Sequence, residues 1–249
     1  MWWSSDMRRI ILLSTFLMIA AALYAYDSPA PGGAVTSSFG SDAKGQFNTG
    51  IDINAEEVFA AESGEVLYYG DNLVAVAHAD SILTIYSNVA VSEALTKDIH
   101  VNKGQLLGKT KKGSLHFALY DLEMEQYINT LLMTESLKKS ELPKVSNISY
   151  DSQGGMLSVY MAYKGLTGLY KVQVSVAGQV VSTLEFRTVK RTDDTLVLDS
   201  GAFEYGTLYG RQGAFTFTGI QLEAGENSVD IIVTDFYGKK VVFHGRITV

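Results

Sequence analysis

The chain has no cysteine among its 249 residues. That excludes a lipid anchor carried on a cysteine thiol and any disulfide, so every domain has to be held by packing alone. It also lacks an apolar run long enough to cross a membrane. The run at 10–25, broken only by Ser14 and Thr15, falls short of the roughly 20 residues a spanning helix needs. Positive charge is scarce as well: leaving out Asp6, Arg8 and Arg9, the charged residues of the N-terminal segment, there remain 18 basic and 26 acidic residues, a net charge of about −8 spread without blocks. Nucleic acid is excluded as an expected partner, because its binding is dominated by neutralisation of phosphates.

What is present at the N-terminus is a charged stretch ending in Arg8-Arg9, followed by the apolar run, and this reads as an export signal over residues 1–25. Cleavage is expected after Ala22 or Ala25, which would place the protein in the periplasm or outside the cell. Only an uncleaved signal would tie it to a membrane.

The remaining length suits two domains of ordinary size. Over 34–142, short apolar segments alternate with Gly, Asn and Asp, the mark of an all-β domain. Strands are expected at 58–61, 65–69, 73–77, 83–86 and 115–120, with Gly64 and Gly104 at tight reversals where a positive φ suits glycine. The stretch 121–133 fits either a helix or a strand followed by a short turn. The polar segment 138–142, closed by Pro143, reads as a linker. Over 143–249, alternating strands are expected at 144–150, 156–163, 169–176, 179–188, 195–198, 214–222, 227–234 and 239–249, with hairpin turns at Ala177-Gly178 and Phe236-Tyr237-Gly238. Short strands in that number suggest an immunoglobulin-like β-sandwich. The end of this region, from Leu222-Glu223-Ala224-Gly225 to Asp235-Phe236-Tyr237-Gly238, resembles bacterial extracytoplasmic immunoglobulin-like modules, which space, orient or recruit.

The stretches that carry chemistry are Phe47-Asn48-Thr49-Gly50-Ile51-Asp52 and Ser114-Leu115-His116-Phe117. Together with Gly64-Glu65-Val66, His78, Thr84-Ile85-Tyr86-Ser87-Asn88-Val89 and Val101-Asn102-Lys103-Gly104-Gln105, their order and spacing resemble the lysostaphin-type, or LytM-type, zinc peptidases. That resemblance implies a compact antiparallel β-domain of the duplicated hybrid motif type, whose groove holds one zinc ion and whose members cut peptides of bacterial peptidoglycan. It also implies that 121–133 is a strand and a short turn. The family's zinc ligands fall on Asn48, Asp52 and His116, and its two general-base histidines on Ser114 and Asn88. One ligand and both bases are therefore replaced. An amide oxygen is a poor exchange for imidazole at zinc, and neither Ser nor Asn titrates near neutrality to accept a proton from a bound water.

The expected binding groove comprises Asn48, Asp52, His78, Tyr86, Asn88, Ser114 and His116. Plainer roles stand beside the chemical ones. Asn48 before Thr49-Gly50 suits a turn, Asp52 can bond a neighbouring loop, and His116 can be a histidine satisfied within the fold. The turns around Gly64 and Gly104 also resemble those of biotinyl or lipoyl carriers, but no lysine sits at a hairpin tip to be modified. Two functional readings follow. In the first, a degenerate LytM-like domain without a cofactor binds peptidoglycan peptide or docks and activates a wall hydrolase. In the second, a divergent zinc endopeptidase uses Asp52, His116 and a further residue, with His78, His100, Glu56 and Glu57 as candidates. The loop 199–213, with Phe203, Tyr205, Tyr209 and Arg211 among glycines, is expected to fold back onto the sandwich rather than to offer its aromatics to a ligand.

Overall fold

The computed structural model describes residues 26–70, 72–93, 95–138, 144–164, 168–198, 203–210 and 214–249. The expected export signal at 1–25, most of the expected linker (139–143) and parts of the aromatic loop (199–202 and 211–213) lie outside these residues.

The described chain is almost entirely antiparallel β-structure. Its first part contains β1 (Ala34–Ser37), β2 (Ile51–Asn54), β3 (Glu57–Phe59), β4 (Gly64–Gly70), β5 (Leu73–Ala77), β6 (Ile82–Ser87), β7 (Val89–Val91), β8 (His100–Val101), β9 (Leu106–Thr110), β10 (Ser114–Asp121) and β11 (Gln126–Ile128). A one-turn helix α1 (Thr130–Met133) follows, so 121–133 is a strand and a short turn. The second part contains β12 (Lys144–Gln153), β13 (Met156–Lys164), β14 (Leu169–Val176), β15 (Gln179–Glu185), β16 (Thr188–Thr192), β17 (Thr195–Leu198), β18 (Phe203–Glu204), the single turn α2 (Tyr205–Leu208), β19 (Ala214–Gln221), β20 (Glu226–Asp235) and β21 (Lys240–Thr248).

The largest sheet runs in the order β18-β17-β16-β11-β10-β6-β5-β4-β8, with β2 also on β10 and β1 on β2. A small sheet, β3-β9-β7, contributes Val58, Leu107 and Val89 to the core. β10 organises the large sheet because it pairs with β2, β6 and β11. Its odd-numbered residues Leu115, Phe117 and Leu119 are fully buried, while Ser114, His116 and Tyr120 stay half exposed. That is the two-residue period of a strand with one face in the core. Gly64 sits here for a reason other than a left-handed turn. It opens β4 in extended backbone, and a Cβ there would lie 2.2 Å from the Ala77 carbonyl oxygen. Gly104 does take the positive φ expected of it, +76°.

Beyond residue 144, two sheets, β12-β13-β19 and β15-β14-β20-β21, enclose Leu157, Val159, Met161, Val172, Val174, Phe215, Phe217, Ile231 and Val233. The expected single strand at 179–188 is in fact two. β15 ends at Glu185, Phe186 is buried, and β16 starts at Thr188 and leaves for the other sheet, pairing with β11 through Gln126–Lys190, Tyr127–Val189 and Ile128–Thr188. β16, β17 and β18 thus extend the sheet of the first part.

Side chains reinforce this join. Asn129 caps α1 by accepting from the Leu131 N–H, and its Nδ2 donates to the Phe186 carbonyl at 2.6 Å. Phe47, only 1% exposed, packs against Tyr205 and Tyr209 with ring centroids 5.5 and 6.0 Å away. Tyr205 donates to Asp42 at 2.7 Å and Tyr209 to the Gly40 carbonyl at 2.7 Å. Tyr209 also meets Phe215 of the sandwich at 5.6 Å, so the aromatic loop folds back as expected but reaches the 39–48 loop as well. Phe47→Ala is expected to lower unfolding stability by about 3–5 kcal/mol, read as a fall in denaturant midpoint. A loss below about 1 kcal/mol would contradict a packed join at this ring.

Candidate functional site

The site is set by strand register. β10 pairs with β2 so that His116 lies opposite Asp52 and Ser114 opposite Asn54, and on its other side β6 places Ser87 opposite His116. β1 places Ser37 opposite Asp52. His116 Nδ1 lies 2.9 Å from Asp52 Oδ1. A carboxylate only accepts, so the imidazole donates through Nδ1–H and the two strongest donor groups of the expected metal site are bonded to each other.

Asn48 is 3% exposed and its amide is committed to the fold. Its Oδ1 accepts from the Gly50 N–H at 3.2 Å, and its Nδ2 donates to Ser37 Oγ at 3.1 Å. The first of these is the local turn that Asn side chains favour. It delivers the chain into β2 with Gly50 against β10, where a Cβ would lie 2.3 Å from the Phe117 carbonyl oxygen. Asn88 takes φ +67 between β6 and β7, a left-handed conformation that Asn tolerates, and its carbonyl accepts from Lys111 at 2.6 Å.

Two residues expected in the groove lie elsewhere. Tyr86 is fully buried on the core side of β6, stacks at 5.2 Å on Phe117, and its hydroxyl oxygen accepts from the Ala61 N–H at 2.8 Å. Burial pushes its phenol up to about 12. Position 86 faces inward because β6 alternates from Ile82, so Thr84 and Tyr86 point to the core while Leu83 and Ile85 point out. His78 follows β5 at the opposite end of the β5–β6 hairpin from Ser87, about 16 Å along the strand from the His116 row at roughly 3.3 Å per residue. Its Nδ1 meets the Ser63 carbonyl and its Nε2 the Thr84 hydroxyl, each at 2.8 Å. It lines a separate cavity of about 590 Å³ with Glu62, Asp80 and His100, where Tyr26 donates to Asp80. Neither His78 nor His100 therefore joins Asp52 and His116.

Serines that the sequence did not single out complete the site. Ser37 ties Asn48 to the strand opposite Asp52, and Ser87 faces His116. No local pattern marks either one; only the register does.

A family model described as peptidase family M23 matches residues 46–130, the span that holds Asn48, Asp52, Asn88, Ser114 and His116. Those residues form a peptidase family M23 domain. A second family model matches residues 144–249. Among solved structures, the chain is similar to a chain of the SpoIIQ–SpoIIIAH pore forming complex, at 19% identity and TM-score 0.40 over 45% of this chain and 92% of that one. Similar too are a catalytic-domain mutant of the prophage-encoded M23 protein EnpA from Enterococcus faecalis (22% identity, TM-score 0.35, 43% of this chain and 95% of that one) and a zinc-containing peptidase from Vibrio cholerae (19%, 0.37, 48% and 41%). No curated protein matches the chain.

The residues brought together in this M23 domain fall short of the donor set of a mononuclear zinc site, since no third strong donor joins Asp52 and His116 among the described residues. A mononuclear site takes three or four N, O or S ligands. Here Asp52 and His116 are joined by a hydrogen bond, and the Asn48 oxygen is occupied by a backbone N–H in a buried turn. Among the described residues no group of three or more His, Cys, Asp or Glu is placed to hold a metal ion.

Asn48→Ala in the M23 domain is expected to destabilise by about 1–3 kcal/mol, because it strands a buried donor, whereas Ser114→Ala stays within about 0.5 kcal/mol. Chemical unfolding of both variants checks the contrast. His78 supplies a pH signature. Burial lowers its folded pKa from 6.5, so the unfolded chain takes the proton first and stability falls as pH drops through about 6.5. His78→Gln is expected to flatten that part of the stability profile.

Proposed function

We propose that this is an exported, cell-wall-associated protein whose M23 domain recognises a partner and performs no hydrolysis. The reading rests on one observation above the others: Asp52 and His116, the two surviving ligand positions, satisfy each other, while Asn48 is spent on the turn that builds β2. Ser114 and Asn88 then stand where a water-activating base is needed, and neither side chain takes up a proton near neutrality. The groove face, by contrast, is kept, with its strands in register and its core intact. Its ligand under this reading is peptidoglycan peptide or a wall hydrolase that it docks and activates. Residues 144–249, as an immunoglobulin-like module, would hold the M23 domain in place through β16 and the Phe47 contacts.

Metal analysis of the purified full chain after dialysis, together with digestion of purified peptidoglycan, tests this. The expected result is less than about 0.1 zinc per chain and no soluble fragments, as a site with two available donors holds zinc weakly. Stoichiometric zinc that is lost in His116→Ala would sink the reading in favour of a divergent zinc endopeptidase.

A further inference from the structure

The outward face of the M23-domain sheet has a composition that neither the metal positions nor the core requires. Cross-strand register lays it out in three rows. The first holds Glu65, Ala77, Leu83 and Tyr120, the second Tyr68, Ala75, Ile85 and Ala118, and the third Leu73, Ser87, His116 and Asp52. The opposite face of the same strands is the domain core; on these rows Glu65 and Tyr68 are exposed, the larger side chains are half-buried, and Ala75 and Ala118 between them are buried. The first two rows are aliphatic and aromatic apart from Glu65, and Tyr68 is 56% exposed, with its neighbours Leu67 and Tyr69 also exposed.

Charge on this face is mainly negative, with Arg191 of β16 as the basic group near Tyr120. No Lys or Arg occurs in β1, β2, β4, β5, β6, β8, β10 or β11, whereas Asp52 and Glu65 lie on the face and Glu123 and Glu125 lie in the loop between β10 and β11 at the end of the first row. Glu123 accepts from Ser81, which brings the β5–β6 loop and the β10–β11 loop together at that end. An acidic rim around tyrosines and aliphatic side chains matches a partner with lysine or arginine heads on apolar stems, through both charge and cation–π contact. The carboxylate-rich peptides of the wall polymer match it poorly, since like charges across an interface repel.

Backbone geometry points to a polypeptide. β4 is paired along β5 from Glu65 to Gly70, but on its outer side the chain at 98–101 meets only Gly64, Glu65 and Val66. Among the described residues no backbone hydrogen bond reaches the outer side of 67–70. An extended chain can continue a sheet at such an edge.

We propose that this face, with the outer edge of β4 at 67–70, binds a basic, extended segment of a partner protein. The proposal rests on the non-catalytic reading of the M23 domain and names the partner class within it.

The test uses the full chain and two fluorescent peptides, an alternating lysine–valine octapeptide and an alternating glutamate–valine octapeptide, followed by anisotropy. Saturable binding of the lysine peptide is expected, at least about tenfold tighter than the glutamate peptide, weakening as salt is raised. Glu65→Lys and Tyr68→Ser, both at exposed positions, should each weaken it about tenfold while leaving the melting temperature in place. Equal affinity for the two peptides, no binding, or binding indifferent to both variants would overturn the proposal. Displacement of the lysine peptide by purified peptidoglycan would also overturn it, since the wall polymer would then be the occupant, and would leave the non-catalytic reading intact. Stoichiometric zinc in the protein would instead remove the reading on which the proposal rests.

Discussion

The register of β10 is the constraint on which the rest of the M23 domain depends. Leu115, Phe117 and Leu119 fill the core from one side of the strand, and that fixes Ser114, His116 and Tyr120 on the other. A slip of one residue against β2 or β6 would bury His116 and expose Phe117, so hydrophobic burial enforces the alignment. The same alignment puts His116 opposite both Asp52 and Ser87. The alignment of these residues is therefore maintained by core packing.

The polar groups around the site serve the fold. Asn48 works as a structural residue, closing a turn through Gly50 and reaching Ser37, and Phe47 beside it is a buried anchor for Tyr205 and Tyr209. The loop that presents Asn48 is thus pinned from within by hydrogen bonds and from outside by residues of the second half of the chain. The Tyr205 contact has an electrostatic side. The Gly45 N–H and the Tyr205 hydroxyl hold the Asp42 carboxyl below its ordinary pKa, while burial and the same bond push the Tyr205 phenol up to about 12. The two partners favour the ionised acid and the neutral phenol, the states that make the hydrogen bond.

Much of this was legible in the sequence, and the failures have physical causes. The strand at 73–77 and the strand–turn at 121–133 followed from alternation and from family likeness. The facing of Tyr86 did not, because Ile82-Leu83-Thr84-Ile85-Tyr86 is apolar on both parities except for a threonine that turns out to be buried. The placement of His78 failed for a related reason: nearness in sequence to β5 and β6 does not say which end of the hairpin faces the site. The departure of β16 to β11 is a long-range pairing with no local signature, and the seat of Tyr205 and Tyr209 on Phe47 is of the same kind.

The central claim is that Asp52 and His116 bond to each other across β2 and β10. The most direct measurement is the ¹⁵N–¹H spectrum of the His116 ring in the full chain, with and without equimolar zinc. Mutual bonding predicts a proton held on Nδ1 and ring resonances that the metal does not move. A ring that gives up the Nδ1 proton and shifts in proportion to added zinc would contradict it.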